Sequence, residues 1–205
     1  MNKYVHIMNK TFQKNTEIEL KLFKEISRTK VHSQRSISKN LDVALGLANA
    51  MIKKFVNKGF LKLKQAPMKR YFYYLTPRGL VEKAKLTKEF LESSLEFYTK
   101  ARKDYEEQFK ILKCSKKKII FVGKSELTEI AILASKIQNV NVDLLYSPTT
   151  KDKYFCGLKV INKLDLKKLT SLNTCFVLTE FSKPKGTYRK LKNKFNVHIP
   201  KFLST

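Results

Sequence analysis

From Pro77 to about Lys113 the chain can run as a single helix without a breaker, and few folds accommodate such a segment. At 1.5 Å per residue it would be on the order of 50 Å long. Leu91, Tyr98, Tyr105 and Leu112 recur every seven residues along it, with Ala84, Thr87, Ser94, Leu95, Ala101 and Phe109 beside them. A stripe of that length outruns what a small three-helix core can cover, so it needs a further apolar surface. A second copy of the chain supplies one, as a homodimer paired through residues 80–113. Folding back onto the following domain is the alternative, and a dimer helix is the expectation.

The sequence on either side of this helix divides into two kinds of pattern. Residues 1–15 show no periodicity and read as a loose basic arm. Thr16 then offers an N-cap, with Glu19 three residues on to complete a capping box, and Ile18, Leu22, Phe23 and Ile26 fall at helical spacing. Ser33 starts a second, short helix with Ile37 and Leu41 on one face, ending near residues 40–42. A third runs from about Leu45 to Lys58, burying Ala48, Met51, Ile52, Phe55 and Val56, and Gly59 stops it. Residues 60–64 then alternate at period two, Pro67 marks a turn, and residues 70–75 are aromatic and strand-like. Thr76 and Pro77 form the N-cap and first position of the long helix.

Charge gives this first region a chemistry. The chain carries a net charge of +26, nearly all of the excess from lysine. Such a bias arises from an AT-rich genome as readily as from a polyanion-binding surface, so the distribution matters more than the total. Between Arg28 and Arg78 lie twelve lysines and arginines against one acid, Asp42, a local net charge of +11. Acids return at Glu82 and stay frequent through Glu107.

Three helices followed by a two-stranded hairpin is the order of a winged helix-turn-helix, with residues 42–44 as the short turn. In that arrangement the third helix enters the DNA major groove and presents its early exposed residues to base edges. Its expected outward set is Gly46, Asn49, Ala50 and Lys53. Asn49 suits a bidentate pair with adenine, and Lys53 suits guanine or phosphate, while Gly46 lets the backbone come close. Ser33, Gln34 and Arg35 would meet a phosphate at the second helix's N-terminus, and Lys64, Lys69 and Arg70 would grip the backbone from the wing. Each of these positions also admits a plainer role; Asn49 could be only a solvated helix residue, and the whole region a protein-interaction module.

Four runs carry a family resemblance: Ser33-Gln-Arg-Ser-Ile-Ser-Lys-Asn-Leu, Leu45-Gly-Leu-Ala-Asn, Val56-Asn-Lys-Gly-Phe-Leu and Lys69-Arg-Tyr-Phe-Tyr-Tyr-Leu-Thr-Pro-Arg-Gly79. Over about Glu17–Lys113 the chain resembles MarR-type winged helices, most of all the branch associated with exopolysaccharide and lipopolysaccharide gene clusters. The resemblance implies a dimeric transcriptional regulator of double-stranded DNA, with Arg70 as the wing arginine. Asp42 stands where the family usually has glycine, and Ala44 where it has the serine or threonine cap of the recognition helix.

Residues 114–118 form a short basic linker, after which strand and helix signals alternate. Strands are expected at 119–122, 140–146, 154–161 (bent around Gly157), 175–179 and 197–199, with helices at 125–138, 164–172 and 183–193. That alternation argues a small parallel α/β sheet over residues 118–205. Ile119-Ile-Phe-Val-Gly-Lys-Ser-Glu resembles the opening of a Rossmann-like domain, closest to the small nucleotide-sugar-binding domains attached to sugar-modifying acyltransferases. Gly123, Lys124, Ser125 and Glu126 are therefore candidate residues for a phosphorylated sugar or nucleotide. Dinucleotide binding is not expected, because Gly123 is the sole glycine of the turn and no acid ends the second strand. A purely structural domain is the alternative.

The full expectation is an α+β winged helix-turn-helix (16–79), a long dimer helix (80–113) and a small Rossmann-like parallel-sheet domain (118–205). Catalysis is not expected, since His6, His32 and His198 have no nucleophile or carboxylate at a useful spacing, and a nucleotide-sugar-linked enzyme is the remaining alternative. Cys114, Cys156 and Cys175 match neither a disulfide framework nor a zinc site, so no metal or cofactor is expected. With no apolar run near the roughly 18 residues that cross a bilayer and no secretory signal, the reading is a cytoplasmic protein with no membrane partner.

Overall fold

The computed structural model describes residues 3–28, 31–66, 70–115, 117–163, 173–182 and 184–204, and the side chains of 16–28, 33–65, 71–115, 117–163, 173–182 and 184–203. The chain forms two compact units that divide between Ser94 and Leu95, inside a helix. It is an α+β protein with one long helix and a mixed sheet. No helix among the described residues is long and apolar enough to cross a membrane.

The first unit begins with α1 (Lys3–Arg28). The helix starts well before Thr16, so residues 3–15 are helical rather than a loose arm. The reason is visible in the sequence: the segment lacks proline and glycine, and Val5, Met8 and Phe12 recur at three and four residues. After β1 (Val31–His32), α2 (Gln34–Leu41) is capped by Ser33, whose hydroxyl accepts from the Ser36 amide at 3.1 Å while Ser36 Oγ accepts from the Ser33 amide. Its far end is closed by Asp42, at φ 54, with the Val43 amide donating to Ser38 O and that of Asp42 to Lys39 O. This is the paired bonding of a Schellman cap, with an aspartate in the left-handed position that glycine normally takes. Helix α3 (Leu45–Asn57) ends in the same motif with glycine in place: Gly59 at φ 69, and Phe60 N donating to Phe55 O. Phe60 and Phe55 then meet edge to face, 5.7 Å apart.

Strands β2 (Leu61–Ala66) and β3 (Arg70–Leu75) pair antiparallel, Leu61 opposite Leu75 and Ala66 opposite Arg70, and β1 adds to β3 on its other side. The core of the unit combines Leu22, Phe23 and Ile26 of α1, Ile37 and Leu41 of α2, Ala48, Ile52 and Phe55 of α3, and Leu61 and Tyr73 of the sheet. The entry to α4 (Pro77–Leu112) is tightly built. Thr76 Oγ1 donates to Gly59 O at 2.6 Å and accepts from the Gly79 amide at 3.0 Å, while the Thr76 amide donates to Phe60 O. A Cβ at Gly79 would lie 2.1 Å from that Phe60 oxygen, so only glycine fits.

The second unit is built on the C-terminal part of α4. Ala101, Tyr105, Phe109 and Leu112 are buried in its core, and the Tyr105 hydroxyl donates to Leu178 O at 2.9 Å. Strands β4 (Lys118–Val122), β5 (Leu144–Tyr146), β6 (Tyr154–Phe155), β7 (Leu158–Ile161), β8 (Thr174–Leu178) and β9 (Asn196–His198) form a sheet in the order β6-β7-β5-β4-β8-β9. All of its pairs are parallel except β6–β7. The bent strand expected at 154–161 is thus a hairpin, because Cys156 and Gly157, at φ 47 and 83, reverse the chain. Helices α5 (Glu126–Ile137), α6 (Pro184–Lys192) and the short α7 (Lys201–Ser204) complete the unit. The helix expected at 164–172 lies outside the described residues.

Candidate nucleic-acid interface

Part of the basic stretch folds onto three surfaces of the first unit. On α2, the Ser33 side chain is engaged in its own cap, and Gln34 and Arg35 are exposed in the first turn. Gln34 also hydrogen-bonds the side chain of Tyr73 in β3, partly offsetting the upward pKa shift that burial imposes on that phenol. Together with the pairing of Val31 to Phe72, two residues ahead of Ser33, this ties the start of α2 to β3.

On α3, the buried residues Ala48, Met51, Ile52 and Phe55 leave Gly46, Ala50 and Lys53 on the opposite face, all exposed. A Cβ at Gly46 would meet nothing within 4 Å, so the backbone there is open to approach. Asn49 differs from the expectation. It is half-buried, and its Oδ1 is out of solvent without a hydrogen-bond partner. A bidentate adenine contact needs both amide atoms, and one of them faces inward here. The N-cap Ala44 gives no side-chain cap bond, leaving the first amides of α3 uncapped by a side chain.

On the sheet, register separates two faces. Leu61, Tyr73 and Leu75 belong to the core side, whereas Lys62 is opposite Tyr74 and Lys64 opposite Phe72 on the other. Phe72 and Tyr74 stack, 6.3 Å between centroids at 27°, and Lys62, Lys64 and Tyr74 are exposed. Lys69 lies outside the described residues, as does the Arg70 side chain, whose backbone opens β3. Lys62, Phe72 and Tyr74 were not among the expected contacts. Their signal is the period-two alternation itself, which puts them on the same face as Lys64.

The second unit's candidate residues follow the central strand β4, where the strand order reverses. The geometry there is self-contained. Gly123, at φ 96, sits so close to Glu180 that a Cβ would lie 2.8 Å from its Cα, so the glycine accommodates the chain's own backbone. Ser125 Oγ donates to Thr179 O at 2.6 Å and accepts from the Leu127 amide, while the Ser125 amide donates to Thr128 Oγ1. Lys124 pairs with Asp152, holding that carboxyl below its ordinary pKa, and lies over the Phe155 ring. Glu126 is exposed. The Gly123 and Ser125 amides, the Ser125 hydroxyl and the Lys124 ammonium are therefore already engaged within the protein. An open cleft of about 320 Å³ sits at the other end of β4, lined by Lys113, Lys117, Lys118 and Asp143 among others, and none of the four candidates lines it. Among the described residues no cluster of His, Cys, Asp or Glu has a metal-holding arrangement. No protein-family model matches this chain, and no curated protein matches its sequence.

Proposed function

We propose that this chain is a sequence-specific double-stranded DNA-binding transcriptional regulator whose first unit is a winged helix-turn-helix. The observation that carries the reading is the placement of the basic stretch. Four of its exposed members, Arg35, Lys53, Lys62 and Lys64, fall on the first turn of α2, the outer face of α3 and the outer face of the hairpin. Those are the elements that a winged helix turns toward phosphates and the major groove. The helix order, the short turn at residues 42–44 and the β1-β3-β2 sheet support the same reading. On this reading the wing is the hairpin β2–β3, and α3 is the recognition helix. The second unit is a Rossmann-like domain whose engaged turn at Gly123–Glu126 favours a structural over a ligand-sensing role.

The protein acts as a homodimer in this proposal. Of the seven-residue stripe on α4, Tyr105 and Leu112 are covered by their own unit, whereas Leu91 and Tyr98 are exposed, with Leu95 beside them 65% exposed. That uncovered length is the pairing surface, joined by Leu80 and Ala84 at its start.

Titration of the full chain against random-sequence duplex DNA at two salt concentrations tests the reading. Affinity should fall steeply with salt, log K changing by roughly 0.9 per phosphate contact for each decade. Lys53→Ala and Lys64→Ala should each weaken binding, the phosphate-contacting position lowering the salt slope by about one. Failure to bind at low salt, or binding indifferent to salt, overturns it.

A further inference from the structure

The first two turns of α3 present an unusual surface for a helix set among so many cations. Leu45 is 40% exposed and Leu47 47% exposed, with Gly46 and Ala50 between and beyond them also in solvent. A lone exposed leucine is unremarkable, but here two flank the outer face of Gly46, Ala50 and Lys53, one on each side. The polar side chain of that segment, Asn49, has its oxygen out of solvent, so the turn offers chiefly methyl groups and an open backbone at Gly46. The same unit exposes Arg35 on α2, Lys53 on α3 and Lys64 on β2, with Asp42 the sole acid between Arg28 and Arg78. The surroundings suit a polyanion, while the centre suits an apolar group displayed by that polyanion. In the major groove of DNA one group answers that description, the C5-methyl of thymine.

We propose that Leu45 and Leu47, with Ala50, read thymine methyl groups, so that the preferred sites are A·T-rich duplexes recognised by apolar contact. The inference rests on the duplex-binding reading above and assigns its specificity to residues that carry no hydrogen-bonding side chain. Lys53 then anchors the helix from its outer face.

The discriminating probe is a pair of duplexes of alternating dA and dT steps, one with every thymidine replaced by deoxyuridine. The replacement removes methyl groups and leaves charge and hydrogen-bonding pattern unchanged. Each methyl contact is worth about 0.8 kcal/mol, roughly fourfold, so the full chain should bind the thymidine duplex about four- to sixteen-fold more tightly. Leu47→Ala should bring that ratio toward one with the salt slope retained, and Leu45→Ala provides a second, independent variant. Circular dichroism of both checks that α3 is intact. Equal affinity of the wild-type chain for the two duplexes overturns the inference while leaving DNA binding in place, and assigns the leucines to a protein-docking face. An unchanged ratio in both variants also overturns it. Absence of binding to either duplex at low salt overturns the underlying reading instead.

Discussion

At the scale of single residues, the first unit contains a comparison made within one chain. Gly59 and Asp42 occupy the same left-handed position of the same helix-ending motif, at φ 69 and φ 54. Only the second carries a Cβ, which costs an L-residue about 1 kcal/mol there. Asp42→Gly should therefore raise stability by about 0.5–1 kcal/mol, read as a higher denaturation midpoint with an unchanged m-value. It also removes the sole acid of the basic stretch, so under the proposed function affinity for duplex DNA should rise with it. An unchanged or lower midpoint would refute the strain. Asn49 is the second case. A buried oxygen without a partner costs about 1–3 kcal/mol, and alanine is the better helix former. Asn49→Ala should accordingly stabilise the protein, by about 1 kcal/mol, in the same measurement. The two features differ in how far the sequence discloses them. That Asp42 departs from glycine can be read from the chain, because a cap is local. The inward turn of Asn49 cannot, since helical spacing gives a residue's direction but not the depth of the groove beside it.

Among the elements, the junction between hairpin and long helix is the easiest to read. Thr76, Pro77 and Gly79 work within four residues, so the sequence order carries the whole device. Gly79→Ala should cost about 1–3 kcal/mol, because the Phe60 oxygen is backbone and yields little. Retention of the wild-type midpoint by this variant in chemical denaturation would show that the junction relaxes. The long helix is legible in extent but not in what covers it. A heptad stripe looks the same whether a second copy or the chain's own sheet lies against it, and here α4 uses its own sheet for Ala101, Tyr105, Phe109 and Leu112. The part before these residues keeps its stripe in solvent. Each leucine covered by a partner contributes about 1.5–3 kcal/mol, so Leu91→Glu combined with Leu95→Glu should convert the proposed dimer to monomers in sedimentation equilibrium. A wild-type chain that is monomeric at high micromolar concentration would count against the dimer. The hairpin at Cys156-Gly157 escapes the sequence for a different reason: a two-residue turn with one glycine reads as readily as a bulge in one bent strand.

For the molecule as a whole, the three cysteines report on the second unit. Cys114 and Cys156 are exposed, whereas Cys175 is buried in β8, where burial pushes its thiol pKa up to about 11. Iodoacetamide at pH 8 should add two groups to the native chain and a third only in denaturant, counted by intact mass. Three additions at one rate would show that β8 opens readily. The alternation of strands and helices in this unit is legible because each buried strand is a short apolar run. The closure of its Gly123 turn is not, since Glu180 and Thr179 reach it from more than fifty residues away. One further property follows from how the two cores divide the chain. Every described core residue of the first unit lies between Leu20 and Leu86, and every one of the second between Ala101 and Leu203. The sets do not interleave, although α4 serves both. On a ribosome, the first core is complete in sequence before any residue of the second has been added. The nascent chain can thus fold its N-terminal unit first, and the growing helix then delivers Tyr105 and Phe109 as a ready surface on which β4 and β8 assemble.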